Sequence, residues 1–103
     1  MRRLAFLFVS ALSFVAACYP GGSVVVRPLN PSPTPLVARP PGKVEMYTTA
    51  TPTRPYVEVG ELESTDPYEI RRKAGEIGCD ALIITRAGTD RVDTVATCVV
   101  WKP

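Results

Sequence analysis

The residues able to do chemistry in this 103-residue chain are few: three cysteines and a small set of carboxylates, with no histidine anywhere. Glu58, Glu61 and Glu63 fall on one expected strand, and Asp90 and Asp93 in one expected turn. Paired carboxylates do general acid–base work when a cleft gathers them and perturbs their pKa values. Spaced along an exposed strand face, they serve solubility instead. Asp90 and Asp93 lack the ligand spacing of a calcium loop. Without histidine there is no Ser-His-Asp or Cys-His centre, and the commonest metal ligand is missing. Cys79 and Cys98 are not in a C-x-x-C arrangement, so dithiol redox catalysis is not expected. Tyr56 and Trp101 read as core or sheet-edge aromatics rather than ligand platforms. The expectation is therefore a protein that is not an enzyme, with no catalytic residue, no metal site and no cofactor.

Cys18 stands apart from the other two. It follows Met1-Arg2-Arg3 and an apolar run from Leu4 to Ala17 interrupted only by Ser10 and Ser13. A positive start, a short apolar stretch and small residues before a break have the form of an export signal. The run is too short to cross a bilayer, which takes about 20 apolar residues. Val15-Ala16-Ala17-Cys18 resembles the bacterial lipoprotein signal, which implies a signal peptide over 1–17 and fatty acyl chains on Cys18. Two or more chains hold a protein stably on a membrane. The alternative is ordinary cleavage that leaves Cys18 as a free thiol.

Removing residues 1–17 leaves chain enough for one small domain. The formal charge of +2 disappears with Arg2 and Arg3. No basic field remains to hold nucleic acid, and Arg71-Arg72-Lys73 lies among Glu69 and Glu76 on an expected helix face. With Cys18 assigned to lipid, Cys79 and Cys98 form an even pair, which favours a disulfide in an exported protein. The alternative is two buried free thiols acting as small apolar residues.

Tyr19 to Lys43 is rich in proline (Pro20, Pro28, Pro31, Pro33, Pro35, Pro40 and Pro41). It reads, over 18–43, as a semi-rigid spacer behind the anchor. At ~3.1 Å per residue it would reach on the order of 70–80 Å. Val24-Val25-Val26 interrupts the proline pattern, as a short added strand or a docking stub. The domain is expected over 44–103. Val44–Thr49 has the residues of a first strand and Tyr56–Glu63 those of a second. Val57 and Val59 share a parity that Leu62 breaks. A bulge at Gly60 would restore it; otherwise Leu62 packs on the other face.

The helix is marked by Asp66 as N-cap, Pro67 at the first position, Glu69 as capping-box partner and Gly78 as left-handed terminator. Ile70, Ala74 and Ile77 make its apolar stripe, and Glu69–Lys73 and Arg72–Glu76 are i,i+4 charge pairs. Gly75 suggests close approach of the sheet. Ala81–Thr85 reads as a doubly covered strand and Thr94–Trp101 as a last strand. On that last strand Val95, Thr97, Val99 and Trp101 face one side, and Ala96, Cys98 and Val100 the other. The expected class is α+β, a β-β-α-β-β domain with one helix on a mostly antiparallel sheet. A last hairpin centred near Gly88-Thr89 would set Cys79 opposite Cys98, while a later centre would offset them.

Two segments carry a resemblance: Arg54-Pro55-Tyr56-Val57-Glu58-Val59-Gly60-Glu61-Leu62, and the helix running into Gly78-Cys79-Asp80-Ala81-Leu82-Ile83-Ile84. Together they are similar to small bacterial lipoproteins that include the outer-membrane sensor lipoproteins of the Rcs envelope-stress phosphorelay. That family has four domain cysteines where this chain has two. The resemblance implies a lipid-anchored, stress-sensor-like interaction protein of the cell envelope, with an envelope protein as partner. Tyr19 after the lipid cysteine implies the outer membrane, facing the periplasm. A structural or small-ligand-binding envelope lipoprotein is the alternative.

Overall fold

The computed structural model describes residues 23–103. The expected signal over 1–17 and Cys18 lie outside the described residues. The chain forms strand β1 (Val25–Pro28), a 3-10 turn (Pro41–Lys43), β2 (Glu45–Tyr47), β3 (Tyr56–Ser64), helix α1 (Pro67–Ile77), β4 (Ala81–Arg86) and β5 (Thr94–Trp101). The class is α+β. The order is β-β-β-α-β-β rather than β-β-α-β-β, because Val25–Pro28 adds a strand ahead of the others.

The five strands lie in the order β1-β3-β5-β4-β2. Three neighbouring pairs are antiparallel, and β2 runs parallel to β4. Consequently β3, α1 and β4 make a β-α-β unit whose two strands are separated by β5, a split crossover. The helix covers one face of the sheet. Leu62, Ile70, Ala74, Leu82, Ala96, Val44, Cys79 and Cys98 form the core on that side, each at most 1% exposed.

The local signals explain the elements. The Asp66 side chain accepts from the Tyr68 amide at 3.0 Å and Gly78 ends the helix at φ 101°. Ile70 and Ala74 are buried, and Ile77 packs against the same core. The register of β3 against β5 slips by one residue between Glu58 and Gly60. This bulge brings Val59 and Leu62 onto the same core cluster. On β5, Ala96 and Cys98 face the helix while Val99 and Trp101 face away.

Three details correct the sequence reading. First, the chain over 24–44 is tied to the domain rather than extended as a spacer. Val25 to Pro28 pair with Glu63 to Gly60, and the Leu29 and Asn30 amides continue the ladder onto Val59 and Glu58. Further on, the Arg39 amide donates to the Gly75 carbonyl at 2.8 Å, and Arg71 donates to the Val44 carbonyl at 3.0 Å. Second, Gly75 admits this strap, not the sheet: a Cβ there would lie 2.4 Å from the Arg39 carbonyl oxygen, and one at Gly78 2.7 Å from the Val37 nitrogen. Third, Glu69 pairs with Arg72 at 2.7 Å and not with Lys73, which reaches Glu76 at 3.5 Å. Arg72 also bonds Glu76.

Candidate functional site

The sheet face away from the helix is the candidate site, because it gathers the side chains with interaction chemistry. Directly opposed residues share a face, so the registers assign it. Glu58 faces Val99, Glu61 faces Thr97 and Glu63 faces Val95, and the bulge keeps all three glutamates on this side.

One half of the face is aromatic. Tyr56 lies opposite Trp101, and Tyr47 lies beside Ile83 on the parallel edge. These rings pack on Ala81, Ile83 and Val99. The Arg54 guanidinium sits 4.9 Å from the Trp101 ring centroid, within cation–π range. Tyr47 donates to a Glu45 carboxylate oxygen at 2.8 Å, and that bond holds its phenol above its ordinary pKa. The connection over 48–55 leaves β2 at the sheet edge and returns to the start of β3, and its Pro52 is buried. Thr48, Thr49, Ala50 and Thr51 of this loop, with Ile83 and Ile84, line an open depression of about 520 Å³. The arrangement offers ring faces, a cation and hydroxyls. It holds no nucleophile beside a base.

The other half is ionic. Arg27 on β1 donates to Glu61 at 2.8 Å and to Glu63 at 3.1 Å, and Arg86 on β4 approaches Glu63 at 3.7 Å. The Asp93 carboxyl lies beside that of Glu63, where the two can share a proton through a hydrogen bond. That bond and Arg27 hold Glu63 below its usual value. The same bond, with burial and the Glu63 charge, pushes Asp93 up. A carboxylate pair with split pKa values resembles acid–base machinery. Here two arginines and a strand neighbour occupy it, and it is part-exposed rather than set in a cleft. The geometry is that of a charge-neutralising network.

Asp90, the other acidic residue expected in a turn, stands exposed in the 87–93 segment. No group of three or more Cys, Asp or Glu ligands comes together among the described residues. Cys79 and Cys98 form a disulfide with Cα atoms 5.5 Å apart, and both are fully buried. The register differs from direct opposition: Cys98 faces Leu82 across the hairpin. The bridge instead runs from the residue after the helix cap to the central strand, pinning the helix end to the sheet.

Asp80 is the main residue that sequence reasoning passed over. One carboxylate oxygen takes Arg39 at 2.6 Å and the other accepts the Trp101 amide at 2.8 Å. Its backbone also bonds both Val99 and Glu45. A lone aspartate bounding a strand gives no sequence signal for this role. Thr48 and Thr49, expected as the end of a first strand over 44–49, lie instead in the loop that follows Tyr47.

These features define a small, disulfide-bonded α+β domain with one helix-covered sheet face and one interaction-competent face. No protein-family model, curated protein or solved structure matches the chain. Among the described residues, no helix is long and apolar enough to cross a membrane.

Proposed function

We propose that the chain is a lipid-anchored interaction protein of the bacterial cell envelope, without enzymatic activity and held at a membrane by acyl chains on Cys18. One observation carries this: the arginine-led apolar segment that ends in Val15-Ala16-Ala17-Cys18. The buried Cys79–Cys98 bond supports an oxidising compartment. The aromatic face supports a protein partner in place of a small ligand. A small-ligand pocket encloses most of its occupant, whereas this depression is open and rimmed by exposed threonines. By resemblance the location is the outer membrane facing the periplasm, and the role stress-sensor-like.

The mass of the protein recovered from membranes tests the anchor. Acyl chains on an N-terminal Cys18 are expected, and a Cys18→Ser variant should go unprocessed or leave the membrane fraction. Normal processing and unchanged membrane partition of that variant would sink the proposal. In-cell cross-linking from a photoreactive residue at Thr49 or Arg54 should capture an envelope protein. Recovery of uncross-linked chain alone from both positions would remove the interaction role.

A further inference from the structure

The docked strap shortens the tether and thereby orients the domain. A trans chain spans at most ~3.6 Å per residue, so Cys18 lies within about 25 Å of Val25. Val25 is fixed, because it pairs with Glu63 in the sheet. Continuing across the strands, Glu63 faces Val95 and Val95 faces Arg86. This row marks one end of the sheet. The 87–93 turn projects from that end, and the first turn of α1 lies there too, its cap Asp66 two residues after Ser64. Three of the large exposed hydrophobic residues belong to this end: Val25 at 50% exposure, Tyr68 at 65% and Val92 at 45%.

Resting on the lipid-anchor reading, we propose that this end of the domain, presented by Val25, Tyr68 and Val92, is a docking surface for a lipid bilayer with zwitterionic headgroups. The tether ends at its corner, and no other end of the sheet is as near the anchor. Tyrosine suits the headgroup level, with an apolar ring and a polar tip. Charge selects the headgroup. Asp66, Asp90 and the Glu63–Asp93 pair outnumber Arg27, Arg86 and Arg91 at this end, so an anionic surface repels it. Trp101 and Tyr56 lie at the opposite end of their strands, which leaves the aromatic patch clear of the bilayer.

The chain's one tryptophan, Trp101, makes the test direct. Mature protein from membranes is placed in phosphatidylcholine vesicles with plain or brominated acyl chains, and tryptophan emission is compared. Two further proteins carry Trp101→Phe with either Val92→Trp or Leu29→Trp, the latter at the far end of the β1 edge. The Val92→Trp emission should be lost in brominated vesicles while the Trp101 and Leu29→Trp emissions persist. Added phosphatidylglycerol should restore the Val92→Trp emission. Greater quenching of Trp101 or Leu29→Trp than of Val92→Trp, or no quenching at any position, overturns the orientation. Greater quenching with phosphatidylglycerol overturns the headgroup assignment. The mass of each sample separates the causes: with acyl chains present, such a result defeats the docking surface alone; with none, the anchor falls and the surface with it.

Discussion

Replacing both Cys79 and Cys98 by alanine is expected to cost more than any single change in the core. The bridge closes a loop of sequence separation 19. A loop of that length corresponds to about 3 kcal/mol of chain entropy. Both side chains are fully buried, so each lost sulfur also leaves a void worth about 1 kcal/mol, by analogy with a deleted methylene. The sum, about 4–5 kcal/mol, rivals the lower end of the usual stability range. In urea, with a slope of about 1 kcal/mol per molar for a small domain, the midpoint should fall by several molar. Reduction gives an independent measure on the unmodified protein. Because no solvent reaches either sulfur, a thiol reductant should act only on molecules that open, and its rate should climb with sub-denaturing urea. Prompt reduction in plain buffer, or a double variant within about 1 kcal/mol of the wild type, would refute the reasoning. Loss should fall first on the helix end, since the bridge pins Cys79 just after Gly78 to the central strand.

Asp80→Ala removes a carboxylate that holds both Arg39 and the Trp101 amide. Bonds to charged groups contribute about 1.5–3 kcal/mol each where partly buried. A loss of about 2–4 kcal/mol is expected in urea titration once solvent screening at the Arg39 end is allowed for. Gly75→Ala puts a methyl into the Arg39 carbonyl. It should cost about 1–3 kcal/mol and expose the 30–40 segment to limited proteolysis, while an unchanged digestion pattern would count against the strap. Asp93→Asn tests the carboxylate pair. Asp93 is raised in the folded state, so its contribution is present below its unfolded pKa and is lost as pH rises through the folded value. Glu63 is lowered, so its contribution holds at neutral pH and is lost as pH falls through its folded value. The asparagine removes the like charge and can still donate to Glu63. The variant should melt higher than the wild type at pH 7 and level with it in acid. An equal deficit at every pH would sink that assignment.

Elements with local or periodic signals were legible. The α1 ends follow from Asp66, Pro67 and Gly78, and the two faces of β5 from alternation. The bulge followed from one parity break at a glycine. The parallel β2–β4 pair was not legible, because three residues carry too little pattern and β2 pairs with a strand beyond the helix. Strand β1 was legible in part: Val24-Val25-Val26 offered an added strand, which Val25–Pro28 forms, but all four residues are exposed and pair through the backbone to residues far along the chain, so its partner strand was not readable. Edge strands of that kind have no buried face to betray them. At the site, the aromatic residues were visible as types, and their gathering depended on the 48–55 crossing, which topology alone sets. Glu63 and Asp93 were both candidates, but their meeting depends on how the turn after β4 folds back.

The proline-rich strap shows why composition alone misled. Prolines suggest a spacer because they stiffen an extended chain. The same stiffness lowers the entropy lost on docking, so few contacts suffice to hold such a segment against a surface. Here those contacts are the Arg39 amide on Gly75, the Arg39 side chain on Asp80, and Arg71 on Val44. What decides between spacer and strap lies elsewhere in the chain: glycines on a helix flank at Gly75 and Gly78, where any Cβ would strike the strap backbone. Gly78 already had an explanation as a helix terminator, which concealed its second use. Gly75 had none that a helix supplies, since glycine weakens a helix interior by about 1 kcal/mol. An unexplained glycine in the middle of a short helix, next to a stiff segment long enough to reach it, is the sequence sign of a docked arm.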